Sequence, residues 1–456
     1  MENKNSMKRA SNIGVILYSC GDLASQFVWA FVGSYLTVFY TDIVGLAPAI
    51  VAAIMMAARL WDAVNDPMMG AIAERTRSRW GRFRPYIAFG APVLALFSVL
   101  CFTHPFAGTS KMAVIWAAVT YIGTGMLYTL VNIPYGALGP VMTEDASQRN
   151  MINASRNVGM NIGILIVNGL SSVLMLKFSA PGAKVADGNG YIITALIYAI
   201  ISIPCFLAVF FTSKEYVMPE KAAEKFSLKE TLKNLVKNKE LMIMLLIMVV
   251  GMCAQMGRIG VVIYYIMYNV GSFSLIPVIM LSPSICGIIG SLLVPAVVKK
   301  IGKRNTLIIG YIGQALSLLV IYFLPYSNIP GIVIANGFFG FFNVAFPCSL
   351  GMIADSVDKY EYETGVRSDG IAYATYGLAQ KLGTAVGSSG GILVMAAFGY
   401  VANAEQTEAA KAGINFTVNL LPAILFLAAA ACALLFWKLK DSEADEIREK
   451  LYSKNQ

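Results

Sequence analysis

Apolar runs of roughly twenty residues, each closed by a short polar stretch, recur along the whole chain. A helix rises about 1.5 Å per residue, so about 20 apolar residues match the ~30 Å hydrocarbon core of a bilayer. By that measure the pattern predicts twelve membrane-spanning helices, near 13–40, 46–73, 85–103, 112–139, 151–176, 190–212, 241–268, 274–298, 305–324, 330–354, 370–399 and 414–437. Gly and Pro are frequent inside these runs, as spanning helices tolerate. The first run holds Asp22 and shows no small-residue cleavage site, so it reads as a first span and not as a removed signal.

The middle of the chain breaks the pattern. Residues 213–240 are polar, and FSLKETLKNLVKNK sets Phe226, Leu228, Leu232, Leu235 and Val236 at the spacing of an amphipathic surface helix. This linker separates six spans in 1–212 from six in 241–437, with a tail at 438–456. The two sets look duplicated. RSRWGRFRP follows the second span and VKKIGKRNT the eighth, which places Gly81-Arg82 and Gly302-Lys303 in corresponding loops. VNIPYGALGPVMTED (131–145) and FNVAFPCSLGMIADS (342–356) likewise end the fourth and tenth spans with an Asn, a Pro and a terminal acid. The fold class is thus an all-α membrane protein of two pseudo-symmetric six-helix halves.

Composition agrees. Of 456 residues, 57% are hydrophobic and 13% charged, against about 25% charged in soluble domains. The net charge of +9 is no sign of nucleic acid, because the basic residues cluster in short loops. One side carries RTRSRWGRFR (75–84), seven lysines between Lys214 and Lys239, KKIGKR (299–304) and both basic termini; the other holds Lys111, Lys177, Lys184 and Lys411. The positive-inside rule then puts both termini in the cytoplasm of a protein of the cell inner membrane. The seven cysteines have neither metal-ligand nor disulfide-framework spacing and read as small hydrophobes. There is no GxxxxGK[ST] loop, no TVGYG filter, and His104 has no nucleophile or metal partner in view. Neither an enzyme nor a cofactor is indicated.

Charge inside the spans is what remains. Ionisable side chains at a helix centre cost about 2.5–3.5 kcal/mol each on insertion scales, so those retained there point to function. Asp22, Arg59, Asp62, Asp66, Arg156, Arg258 and Lys381 fall within predicted spans. Arg59, Asp62 and Asp66 lie at i, i+3 and i+7 on one helix face, with Asn65 beside them. Two carboxylates one turn apart must either protonate or share a cation, and a hard ion such as Na⁺ suits carboxylate, amide and hydroxyl oxygens. An Arg59–Asp62 pair that merely clips helices together is the bland alternative. Asp22 and Arg156 suit paired hydrogen bonds to sugar hydroxyls, with Tyr128, Tyr135, Tyr373 or Tyr376 as an aromatic against the ring. For any one tyrosine, helix packing is the simpler reading.

ARLWDAVNDPMMG (58–70) with TRSRWGRFRP resembles the second helix and following loop of the glycoside–pentoside–hexuronide:cation symporter family, typified by the melibiose permease. YSCGD, FYTDIVGL, TYIGTGMLYTLVNIPYGAL and DKYEYETGVRSDGIAYATYGLAQKLG extend the resemblance nearly end to end. Duplicated six-helix halves are the pattern of its major facilitator superfamily, in which the substrate site lies near midplane between halves. The resemblance implies a Na⁺ site at Asp62, Asn65, Asp66 and Thr129, sugar contacts at Asp22 and Arg156, and a helix-eleven lysine at Lys381. Tyr128, Asn132, Arg258 and Tyr376 complete the candidate substrate set, and Arg79, Arg82, Lys303 and Arg367 a cytoplasmic gate. Departures from the melibiose pattern weaken a galactoside preference. Asn132 replaces a sugar-binding acid, Gly136 and Pro347 replace tryptophans, and Gly21 replaces the lysine before the first-helix acid. VNIPYGAL and EYETGVRSDG are more similar to the glucuronide and xyloside branches, and Arg258 stands where that pattern is apolar.

The expected activity is secondary symport of a sugar or glycoside, a hexuronide included, with Na⁺ or H⁺, by a monomer in the lipid bilayer. A lipid or drug carrier on the same fold, or a sugar sensor without transport, is the alternative.

Overall fold

The computed structural model describes residues 9–216, 237–365 and 369–454. The expected amphipathic segment at 226–236 and the gate residue Arg367 lie outside them. Among the described residues every regular element is helical. Among the described residues eight helices are long and apolar enough to cross a membrane, and two shorter apolar ones accompany them. The chain divides into two compact units, Met1–Ala222 with Ser272–Pro277, and Ala223–Gly271 with Val278–Gln456.

The first unit holds α1 (Asn12–Val38), α2 (Pro48–Arg75), α3 (Arg84–Leu100), α4 (Lys111–Val141), α5 (Ala146–Lys177) and α6 (Gly188–Thr212). Their starts follow local chemistry: Ser11, Ser110, Asp145 and Asp187 each accept a backbone N–H of the first turn, satisfying donors that have no intrahelical partner. At its far end α1 widens into a π turn, Phe39–Ile43. Tyr18, Val28, Met69, Ile87, Leu94, Val131, Tyr135, Leu138 and Phe206 form a buried apolar cluster between α1, α2, α3, α4 and α6. That cluster fixes the helices from which the polar residues project.

The second unit holds α7 (Lys239–Ile259), α8 (Ile276–Phe323), α9 (Ile329–Phe341), α10 (Ala345–Thr364), α11 (Asp369–Ala397), α12 (Leu421–Leu435) and the tail helix α13 (Asp441–Lys454). A π turn at Tyr265–Val270 follows α7, and another at Phe416–Leu420 precedes α12. The eighth and ninth spans differ from expectation: helix runs through the whole KKIGKR segment except at Gly302, whose φ of 83° breaks it. At 1.5 Å per residue an unbroken helix of that length would be more than twice the bilayer thickness. The tenth span is two helices, α9 and α10, and α10 continues ten residues past the expected end to Thr364. Hydropathy stops at DSVDKYEYET, but nothing in that stretch breaks a helix until Gly365.

The duplication shows in packing. Span one lies along five and six, and span seven along eleven and twelve. In both cases a glycine allows close approach: a Cβ on Gly159 would collide with the Ser19 carbonyl, and one on Gly387 with that of Cys253.

Candidate functional site

The first cluster is carried by α2. Asp62 pairs with Arg59 at 3.1 Å, and Arg59 also donates to the Tyr121 hydroxyl at 2.8 Å. The same guanidinium lies 4.4 Å from the Trp29 ring centroid, and Trp29 stacks on Tyr128 at 4.5 Å. Arg59 is therefore fixed from α1 and α4 as well as from its own helix. One turn on, the Thr129 hydroxyl donates to Asp66 at 2.8 Å. The Asn65 amide nitrogen is buried and has no hydrogen-bond partner among the described residues. Gly125 of α4 stands opposite Asp62, where a Cβ would come within 3.1 Å of its carboxylate. Pro67 removes the amide that would otherwise bond the Ala63 carbonyl, on the turn carrying Asn65 and Asp66. Two carboxylates, an amide and a hydroxyl thus gather on α2 and α4. Among the described residues no three His, Cys, Asp or Glu side chains cluster as a metal site.

The second cluster joins α1, α4 and α5. Arg156 forks onto Asp22 at 2.8 and 3.4 Å, and the Tyr135 hydroxyl lies 3.0 Å from the same carboxylate. The guanidinium also lies 4.8 Å from the Tyr135 ring centroid, and that ring stacks on Tyr18 at 4.6 Å. Asp22 and Arg156 are thus bonded to each other, preorganised as one unit. Gly21 leaves no room for a lysine in this packing, because a Cβ there would run into the Tyr135 ring. Tyr128, Asn132 and Gly136 follow at i, i+4 and i+8 on α4. The Asn132 carbonyl oxygen is buried without a hydrogen-bond partner among the described residues, and nothing lies within 4 Å of a Cβ built on Gly136. Polar capacity beside open space is what a bound hydroxylated ring needs.

In the second unit Arg258 is 5% exposed. Its guanidinium donates to Asn336 and lies 4.5 Å from the Phe339 ring centroid, while its Nε has no hydrogen-bond partner among the described residues. It is bonded to α9, whereas Tyr376 (buried) and Lys381 (half-buried) lie on α11. Of the gate candidates, exposed Arg79 stacks on Trp80 at 4.1 Å and Lys303 pairs with Asp355. Arg82 departs from the picture of a solvated basic loop. It is buried, because the amides of residues 82–84 turn inward onto the Glu215 carboxylate. Trp29, Tyr121 and Glu215 were not singled out from the sequence. Trp29 carried a usable signal, lying seven residues after Asp22 and hence on the same face of α1.

A bundle of membrane-spanning helices with paired charges inside its spans defines a polytopic membrane transporter rather than an enzyme. A family model described as MFS/sugar transport protein matches residues 17–441, and the chain belongs to that family. An isoprimeverose transporter of Lactiplantibacillus pentosus is 33% identical over 429 residues, 93% of this chain and 88% of that protein. A glucuronide carrier protein homolog of Escherichia coli (strain K12) is 29% identical over 438 residues, 95% of this chain and 94% of that protein. Among solved structures, the nucleoside transporter NupG matches with a TM-score of 0.62 at 14% identity, covering 94% of this chain and 100% of that one, a likeness of fold alone. The resemblance to glycoside–pentoside–hexuronide:cation symporters is borne out at the level of the family, as is the two-half, all-helical fold.

Proposed function

We propose that this protein imports a sugar or glycoside together with Na⁺ or H⁺ across the cell inner membrane, with both termini cytoplasmic. One observation supports the reading: Asp62, Asn65, Asp66 and Thr129, gathered on α2 and α4, lie in the same unit as the Asp22–Arg156 pair. Tyr128 links the two, because it stacks on the Trp29 that covers Arg59 and shares a face with Asn132. The carboxylates take the coupling cation, and Asp22, Arg156 and Asn132 take sugar hydroxyls. Alternating access then releases both inside, driven by the ion gradient. The relatives' names, an isoprimeverose transporter and a glucuronide carrier homolog, support a glycoside substrate.

Arg258 favours a narrower version with an anionic glycoside. A guanidinium buried without a carboxylate partner among the described residues is costly in low dielectric, and an oxyanion can take two parallel hydrogen bonds from it. Uptake into right-side-out vesicles, with and without Na⁺ and across a glycoside panel, tests both versions. A hexuronide should compete at least tenfold better than its neutral counterpart, and Arg258→Ala should erase the difference. Uptake indifferent to Na⁺ and H⁺ gradients would sink the symport reading. A neutral glycoside that wins regardless of Arg258 would sink the anionic version alone.

The orientation has its own check. Exposed Arg79 and Lys300 lie on the basic side, and exposed Lys111 on the other. In intact cells an impermeant maleimide should label Lys111→Cys and spare Arg79→Cys and Lys300→Cys. The reverse pattern overturns the topology.

A further inference from the structure

In each half, the carboxylate that follows the last span is plugged into the loop after the second. Glu215, three residues beyond α6, receives the backbone amides of Arg82 (3.0 and 2.9 Å to its two oxygens), Phe83 (2.9 Å) and Arg84 (3.4 Å). Asp441, at the start of α13, receives the amide of Lys303 at 3.0 Å. Both loops turn on a left-handed glycine, Gly81 at φ 106° and Gly302 at φ 83°. Neither glycine has room for a side chain, because a Cβ on either would run into the carboxylate oxygen.

The hold is reciprocal. Arg84 returns to α6, donating to the Phe210 carbonyl at 3.0 and 2.7 Å. Arg304 returns to α12, donating to the Ala433 and Leu434 carbonyls at 3.3 and 2.6 Å. Each guanidinium satisfies carbonyls at a helix end that have no intrahelical partner, and each carboxylate satisfies amides that would otherwise be orphaned. An ordinary helix cap does not account for this. Phe83 occupies the N-cap position of α3 and makes no side-chain cap, so the acceptor comes from more than 130 residues away. Charge-assisted bonds to a nest of amides are short and directional, hence stiff.

We propose that Glu215 and Asp441 are positioning residues of the transport cycle. Acting through the amides of 82–84 and 303, they fasten the second–third and eighth–ninth loops to the sixth and twelfth spans, so that loop and span move together. The inference rests on the symport reading. When either clasp opens, the loop no longer follows its span and the step that reorients the site slows, while sugar binding within the spans persists.

The test compares Glu215→Ala, Glu215→Gln and Asp441→Ala with wild type, reading initial cation-driven uptake, equilibrium sugar binding and amide exchange at 82–84 and 303. The alanine variants should lose at least tenfold in maximal rate with sugar Kd changed less than threefold, and the clasped amides should exchange at least tenfold faster. Glu215→Gln, which keeps one acceptor oxygen, should fall between. Gly81→Ala should reproduce Glu215→Ala, and the double variant should be no worse than either single one. Should an alanine variant fail to fold, the Gln and Gly81 variants read the same quantities. Maximal rates within twofold of wild type, Kd losses that match the rate losses, or unchanged amide exchange would each overturn the clasp. Wild-type vesicles without cation-driven uptake would instead overturn the symport reading, and amide exchange would still decide the clasp.

Discussion

Replacing Asp66 with Asn should leave sugar binding within about threefold of wild type and abolish gradient-driven accumulation. The carboxamide keeps the size and the acceptor oxygen that meets the Thr129 hydroxyl at 2.8 Å, so local packing survives. It loses the charge that a cation or proton must neutralise. The membrane potential supplies about 2.3 kcal/mol per charge per 100 mV, which sets a concentration ratio of roughly 50 for one coupled charge. The variant should equilibrate sugar to a ratio of one. Counterflow with preloaded vesicles separates the two properties, because exchange needs binding and reorientation but no gradient. Full cation-stimulated accumulation by Asp66→Asn would remove the residue from the coupling site.

The second large effect is at Asp22. Removing one member of a buried ion pair costs about 3–5 kcal/mol, much of it from the charge left behind. Here the figure sits at the low end, because the Arg156 side chain is 28% exposed and water offsets part of the loss. Asp22→Asn should therefore lower thermal stability, and by losing a charged acceptor for sugar hydroxyls it should weaken sugar binding about a hundredfold. Combining it with Arg156→Gln removes the stranded guanidinium and should recover stability without recovering affinity. That split is the diagnostic. If Asp22→Asn binds sugar within twofold of wild type, the pair is only a fastening between α1 and α5.

How much of this was legible beforehand differs residue by residue. The shared face of Arg59, Asp62 and Asp66 is a property of one helix, so sequence spacing alone reveals it. The Arg59–Asp62 contact was foreseen as a bland alternative, and it forms without excluding the reading of Asp66. Thr129 beside Asp66 was available only through the family resemblance, because it depends on how α4 packs on α2. Trp29 over Arg59 and Tyr121 beneath it depend on packing between helices in the same way. Glu215 had no signal at all: a single acid at the edge of a polar linker looks solvated until the loop it caps has been built. Arg258 was singled out as a costly charge within a predicted span; it is buried, and its partner Asn336 is nearly eighty residues away. Boundaries failed where polarity and helix propensity part company, as in the long α10.

The two related spans that open the halves share one further trait. The first ends in the π turn Phe39–Ile43 and the seventh leads into the π turn Tyr265–Val270. Such wide turns trade the regular bonding of the α-helix for a looser pattern, here the Val44 amide reaching back to Phe39 at 2.9 Å. The opposite end of the first span lies beside the end of α6, where a Cβ on Gly14 would come within 3.0 Å of the Thr212 carbonyl. The opening span of the first half thus starts beside the helix end that the clasp fastens and finishes, about thirty residues on, in the looser bonding of a π turn, whose backbone amides should exchange faster than those of 82–84.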